Sequence, residues 1–362
     1  MIMLWIRMNS QAQVLLSSND LTADMDFLIG LRFKLINIYP DDEPEVAIMK
    51  GHGLQIRLDI NASDNKASIH ILTDDISQFD DEKTQFIAPN GSVYHILEKS
   101  YQLIYPQTKH QLEVIKYDKN EPWSIGRAGM LYRDLLPSRL GGSIMVSHIH
   151  IPNGGPVPDM VHYHTIGFQL IFCYSGWVKL VYEDQGPAFI LRAGDCVTQP
   201  PEIRHRVLEA SDNLEVIEIG VPAQHMTSID HEMQLPTKNH RPQREFQGQR
   251  FCHHQLKQAI WQPWHIEGFE YRESGVAEAS KELASVKVAR IKNSATKPQT
   301  LSHNKDILFV FIMQGQIKLA ADGQQSKFLS KGDSYVIPPH MQYQISHFSD
   351  KLELLEVSLA EK

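Results

Sequence analysis

The sequence predicts a mainly β protein: two copies of one sandwich- or barrel-like domain behind a smaller α+β unit. Three observations carry this. The first is an internal repeat. Gly176-Trp-Val-Lys-Leu180, Ala193-Gly-Asp-Cys-Val-Thr-Gln-Pro-Pro201 and Ser211-Asp-Asn-Leu-Glu-Val-Ile-Glu-Ile219 return as Gly315-Gln-Ile-Lys-Leu319, Lys331-Gly-Asp-Ser-Tyr-Val-Ile-Pro-Pro339 and Ser349-Asp-Lys-Leu-Glu-Leu-Leu-Glu-Val357. The offset is 139 residues at the first block and 138 at the other two, so one turn differs by a residue. Three blocks in register mark a duplicated domain. The second is the texture of each copy: short runs rich in Val, Ile, Leu and Phe, cut by Gly, Pro and Asp turns, which is a strand pattern. The third is length, since 362 residues allow about two or three domains.

In chain order, residues 11–115 form the α+β unit. Val14–Leu21 reads as a strand ending at an acidic cap, Thr22–Ile29 as a short helix, and Leu31–Ile38, Glu45–Met49 and Leu54–Ile60 as strands. Leu54, Ile56 and Leu58 alternate with Gln55, Arg57 and Asp59, which predicts a sheet with one wet face. Pro89-Asn-Gly91 predicts a tight turn between Gln85–Ile87 and Val93–Leu97. A Gly/Arg-rich bridge around 123–142 leads into the first copy at 125–222. Residues 223–278, with Pro236, Pro242, Trp261 and Trp264, read as an ordered linker packing on both copies, with a helix around His254–Trp261. The second copy spans 279–360. Glu215, Glu218 and their repeats Glu353 and Glu356 sit among apolar residues and are expected to face solvent.

Composition narrows the function. Hydrophobic residues make up 42 % and charged residues 22 %, enough for a sizeable core. Asp and Glu outnumber Lys and Arg by 43 to 35, which argues against a basic nucleic-acid surface. No polybasic run suggests anionic lipid, and no apolar stretch reaches the roughly 18 residues of a membrane span. The apolar Met1–Met8 is too short for a signal peptide, and Met8 is an alternative start. The three cysteines, Cys173, Cys196 and Cys252, lie far apart and match no zinc or disulfide spacing, so a reducing cytoplasm is the simplest compartment. Cys173 and Cys196 read as core.

Among 18 histidines, the informative ones lie in Pro158-Asp-Met-Val-His162-Tyr-His164-Thr-Ile-Gly-Phe-Gln169, followed 41 residues after His164 by His205. Residues i and i+2 of a strand share a face, so His162 and His164 point together. With His205 from another strand, three imidazoles can hold one face of a divalent metal and leave positions open for substrate, water or dioxygen.

This pattern resembles the cupin superfamily, whose motifs run roughly Gly-x5-His-x-His-x3,4-Glu-x6-Gly and Gly-x5-Pro-x-Gly-x2-His. His162, His164, Gln169 and Gly176 match the first, with Gln in place of Glu and with Gly155 one residue further from His162 than the motif has; Gly194, Pro200 and His205 match the second, with Glu202 in place of Gly. The resemblance covers about 145–220 and, more weakly, 285–360. It implies two double-stranded β-helix (jelly-roll) barrels with the metal, bound by His162, His164 and His205, inside the first. Gln169 is then a neighbour of the ligands or a weak ligand. In the second copy His303 aligns with His164, but Leu301, Leu308 and Tyr343 stand in place of His162, Gln169 and His205, so the site is lost.

Other candidates are less constrained. His148 and His150 form a second His-x-His, and His148 is a candidate for the pocket wall. Tyr132 and Arg133, with Arg127, lie on the bridge, where a basic residue can meet an anionic substrate, although exposed loop arginines are usually just solvated. His225, Asp230 and His231 read as surface loop. Residues 11–115 resemble the glyoxalase/vicinal-oxygen-chelate fold through Val14…Asn19-Asp-Leu21…Phe27…Gly30-Leu-Arg-Phe33, Gly51-His-Gly-Leu54 and Ala88-Pro-Asn-Gly91 with Tyr94–Leu97. The first strand offers only Ser17 and Ser18 as ligands, and Glu98 stands alone, so this resemblance implies a degenerate, metal-free unit used for scaffolding or dimerisation.

The resulting expectation is a metal-dependent cupin enzyme, an Fe(II) dioxygenase acting on a small anionic chelating substrate, with Zn, Mn, Ni or Cu as other possible metals. The alternatives are a non-catalytic small-molecule binder or sensor and a non-redox isomerase or lyase. A homodimer is a further expectation, and the catalytic residues are left unassigned.

Overall fold

The computed structural model describes residues 11–30, 33–51, 53–62, 68–78, 84–87, 93–99, 102–292, 297–321 and 323–360. Met1–Met8, and of the quoted glyoxalase-like segments Leu31, Arg32, His52 and Ala88–Gly91, lie outside them. Each copy is a jelly-roll of two antiparallel sheets. In the first, one sheet runs 253–254, Cys196–Thr198, Phe168–Ser175, Leu214–Val221, Met145–Ile151, Leu131–Asp134 and Ser124–Ile125; the facing sheet contains Phe189–Arg192, Trp177–Tyr182, His205–Ala210, His162–Thr165 and Met226–Ile229. In the second, Ser334–Ile337, Ile307–Gln314, Glu353–Leu359, Ala284–Ile291 and Phe269–Glu273 repeat the former order, and Lys327–Ser330, Gln316–Ala321, Tyr343–Ser346 and Gln299–Leu301 repeat the latter.

The duplication reaches single residues. A β-bulge sets Ser175 opposite Glu215, and its repeat sets Gln314 opposite Glu353. The turn that follows each bulge needs glycine. Gly176 and Gly315 have φ of 77° and 81°, and a Cβ there would lie 2.3 and 2.4 Å from Ser211 Oγ and Ser349 Oγ. Those hydroxyls instead accept the amides of Trp177 and Gln316.

The barrels meet across a seam related by a pseudo-twofold axis. Arg133 donates to the carbonyl of Gly332, and its repeat Arg272 donates to the carbonyl of Gly194. Tyr174 donates to the carbonyl of Met313, its own counterpart in the repeat. Edge strands are exchanged as well: Glu113–Ile115 pairs with Ser334–Val336 of the second barrel, and His253–His254 pairs with Cys196–Val197 of the first. Such reciprocity is what a self-complementary interface between identical domains requires. The repeated unit therefore begins near 113 and near 253, and Phe269–Glu273, inside the stretch read as linker, is a full strand of the second barrel. In place of a helix over His254–Trp261 there is a strand at 253–254 and one 3-10 turn at Leu256–Gln258, because pairing with the first barrel claims the backbone first. One continuous core fills the seam, including Phe168, Phe172, Ile217 and Ile219 from one side and Val288, Phe309, Phe311 and Leu355 from the other.

Residues 11–99 run strand, helix, three strands, then three more strands, with Gln11–Ser17 parallel to Leu54–Asp59. Asp20 accepts the amide of Ala23 and starts the helix Leu21–Gly30, whose Leu21 and Leu28 pack on Ala47, Met49, Ile56 and Leu58. Gln85–Ile87 and Val93–Glu98 pair antiparallel. Lys34–Tyr39 pairs with Met226–Ile229, so this unit's sheet continues directly into the histidine-bearing sheet of the first barrel.

Candidate metal centre

Strand pairing sets the centre. His162 and His205 are direct cross-strand partners, and His164 follows two residues along the same strand. The three side chains are buried, and one nitrogen of each lies within 4.8 Å of the others. Among the described residues this is the one group of such ligands that converges. Each ring is oriented through Nδ1: His162 to the carbonyl of Met160 at 2.7 Å, His205 to that of Ile203 at 3.0 Å, and His164 to Thr227 Oγ1 at 2.9 Å. With Nδ1 carrying the proton, Nε2 is left as the donor atom. Burial, with help from neighbouring cations and rings, holds His162 and His164 well below the ordinary imidazole range; burial likewise lowers His205, to about 4. The neutral form is the metal-binding form, so the three imidazoles fit a divalent ion once the Arg127 guanidinium, which donates to His162 Nε2 at 2.9 Å, gives way. Replacing Thr227 by valine keeps the shape but removes the acceptor that orients His164. The expected result is metal affinity weaker by about 10–100-fold with the fold intact, read by competition with a chromogenic chelator.

The cavity beside the histidines measures about 70 Å³. Met130, Ile149, Ile171, Leu180, Val207 and Val216 give it apolar walls, and its polar lining comes from Asp41, Arg127, Tyr132, Tyr182, Gln199 and Glu218. Arg127 is central. Its Nε donates to Asp41 at 3.1 Å, its Nη1 to Asp159, and its Nη2 to His162 Nε2 at 2.9 Å. Burial alone would lower the pKa of Arg127 and raise that of Asp41, but the ion pairs outweigh it and fix both as charged.

The placement of the sequence candidates divides them. Tyr132 lines the cavity. Arg133 and His148 do not: strand alternation turns them, as cross-strand partners, to the seam, where Arg133 donates to His148 and His148 packs beside Trp123, Tyr174 and Phe311. Gln169 is buried next to the cavity without lining it, and its Nε2 donates to Glu218 at 2.6 Å. Glu218 does not face solvent as expected. It is 3 % exposed because Leu214, Val216 and Glu218 form the inward face of a strand whose Ile217 and Ile219 fill the seam. Glu215 stays partly exposed, with 30 % of its side chain open to solvent while it accepts from His148 at 2.7 Å, and burial raises both Glu353 and Glu356. His225, read as surface loop, is buried edge-on to His164, with ring centroids 5.5 Å apart. In the second barrel Leu301 stands opposite Tyr343 where His162 meets His205, and His303 Nε2 binds the carbonyl of Ile337.

Sequence reasoning missed Asp41, Asp159, Glu218 and Thr227. Asp159 stands three residues before His162, close enough to have been flagged, whereas Thr227 follows His205 by 22 residues and leaves no local signal. Asp41 arrives from another unit and leaves no local signal.

No family model and no curated protein matches the chain. Solved structures do. Salicylate 1,2-dioxygenase from Pseudaminobacter salicylatoxidans superposes with a TM-score of 0.50 at 15 % identity, over 71 % of this chain and 86 % of that one. Oxalate decarboxylase from Lactobacillus farciminis, in its formate complex, gives 0.49 at 14 % identity, over 68 % and 88 %. The fold is that of a bicupin. At these identities the likeness is one of architecture. Among the described residues no helix is long and apolar enough to cross a membrane.

Proposed function

We propose that the first barrel is a metal-dependent enzyme site, an Fe(II) dioxygenase for a small anionic chelating substrate, with His162, His164 and His205 as ligands. The observation that supports this best is the convergence of three neutral, Nδ1-anchored imidazoles on an apolar cavity. When bound, the metal supplies Lewis acidity toward a chelating oxygen and a site for dioxygen. The protein's part is to orient the ligands, exclude water with the apolar wall, and place the Arg127 guanidinium beside the centre. Cavity size bears on which chelating substrate, a catecholate, a hydroxy acid or a β-diketone, the site would take. About 70 Å³ is under half of the roughly 150 Å³ that accommodates benzene in an engineered cavity. A hydroxy acid or β-diketone of a few heavy atoms suits this space better than a catecholate.

The test is elemental analysis of untagged, anaerobically purified protein beside the His162→Ala/His205→Ala double variant. Iron equimolar with the chain, lost from the variant, together with oxygen uptake on adding small hydroxy acids or β-diketones, is the expected result. Zinc, manganese or nickel without oxygen uptake would replace the dioxygenase by an isomerase or lyase. Absence of metal, or equal metal in both proteins, would leave a non-catalytic binding module.

A further inference from the structure

Three carboxylates lie at or beside the first-barrel cavity, and their surroundings differ in kind. Asp41 and Asp159 share the Arg127 guanidinium, and Asp159 also accepts the backbone amide of Val207 at 2.8 Å. Each is therefore paired with a cation. Glu218 lines the same cavity, and among the described residues no cation is bonded to it. Its one hydrogen-bond partner among them is the neutral amide of Gln169, whose other end, Oε1, is buried with no partner among the described residues. The groups facing it are Asp41 and Asp42 from the N-terminal unit, Arg127 and Tyr132 from the bridge, and Tyr182 from the opposite sheet.

We propose that Glu218 is the proton-carrying acid of this site, and that Gln169 is its reversible partner. As a carboxylate, Glu218 accepts from Gln169 Nε2, as the structure shows. As a carboxylic acid it donates to Gln169 Oε1, which a half-turn of the amide brings into place. One side chain thereby offers a partner to both protonation states. The same residue explains why the cupin-like glutamate is missing at 169: an amide there serves the two states of a carboxyl on the neighbouring strand, and a second carboxylate would not. Burial first, and the negative charge of Asp41 second, push Glu218 up to about 8. In the metal-free cavity it therefore holds its proton near neutral pH, which removes a repelling charge from the lining and places a proton donor beside an entering ligand.

This inference rests on the reading of the histidines as a metal site, and two measurements keep the two apart. The first is infrared difference spectroscopy between about pH 6 and pH 10 on wild type and Glu218→Gln. A protonated-carboxyl band that titrates above neutrality in the wild type and is absent from the variant is expected. Its absence from the wild type would overturn the proposal whether or not metal binds. If Glu218→Gln does not fold, Gln169→Met serves instead, and the band should shift because its hydrogen-bond partner is gone; an unshifted band would exclude the pairing. The second is binding of L-lactate, whose carboxylate stays ionised throughout, to the zinc-loaded proteins by calorimetry. Both proteins lose affinity as zinc-bound water deprotonates, and above the Glu218 titration the wild type should lose up to about tenfold per pH unit more than Glu218→Gln. Equal slopes in the two proteins would remove Glu218 from the site's proton chemistry. Failure of the wild type to take up zinc would count against the metal reading, with the infrared result still deciding the protonation of Glu218.

Discussion

Arg127→Met is expected to lower folding stability by about 3–5 kcal/mol, the usual cost of removing one partner from a buried ion pair. The methionine fills much of the space, but Asp41 and Asp159, both nearly inaccessible, lose the guanidinium that neutralises them. The contribution of Asp41 to the pH dependence should also change sign. In the wild type, Arg127 outweighs burial and holds Asp41 below its ordinary value, so this pair contributes stability above the unfolded carboxylate range, and the contribution is lost as pH falls through the lowered value. The buried histidines act the same way at higher pH. Their lowered values mean that the unfolded chain binds more protons below about 6.5, and stability declines from there toward about 4, where His205 itself titrates. In Arg127→Met, burial acts on Asp41 unopposed, so protonating it becomes favourable and mild acid should relieve part of the defect. Urea denaturation of the metal-free proteins over a pH series checks this. A variant as stable as the wild type at pH 7 would mean that the carboxylates are hydrated and that the ion pair does not organise the cavity. A separate consequence concerns metal. Arg127 Nη2 sits on the His162 nitrogen that a metal would use; its removal frees that nitrogen and leaves two carboxylates nearby. Zinc should therefore bind the variant more tightly than the wild type, which a chelator competition reads directly.

The part of this architecture legible in the sequence is the part written twice or written locally. The repeat was visible because Gly176 and Gly315 occupy turns that no side chain could share, and because the blocks around them keep their register. The histidines were visible because strand periodicity puts His162 and His164 on one face. What escaped depends on direction and on distance along the chain. Spacing cannot tell which face of Met145–Ile151 looks inward, so His148, in the same His-x-His pattern, went to the pocket when it belongs to the seam. A glutamate among apolar residues suggests solvent, yet Glu218 is in phase with Leu214 and Val216, and its phase outweighs its charge once Gln169 is there to bond it. Asp41 lies 86 residues before Arg127, on a unit read as scaffolding. Only the pairing of Lys34–Tyr39 with the strand of Thr227, which itself bonds His164, shows that the N-terminal unit completes the site.

Phe309→Ala should produce a loss of similar size by a different route, about 3–5 kcal/mol for emptying a large buried aromatic position. Phe309 is fully buried in the seam, in one cluster with Phe172 and Ile217 of the first barrel and Leu355 of the second. A cavity there has no easy way to collapse, because both walls are paired sheets whose register is fixed by the bulges and by Arg133 and Arg272. The loss should appear as a lower melting temperature and as a separation of the two barrels' transitions, since the seam is what couples them. The consequences for the centre should be small. His162 and His205 belong to the sheet on the far side of the first barrel, anchored by Met160, Ile203 and Thr227 rather than by the seam. Metal content at low temperature should thus match the wild type, whereas Arg127→Met changes stability and metal affinity together. A Phe309→Ala protein that melts with the wild type would show that the barrels are held by their exchanged edge strands, Glu113–Ile115 and His253–His254, and not by the apolar seam.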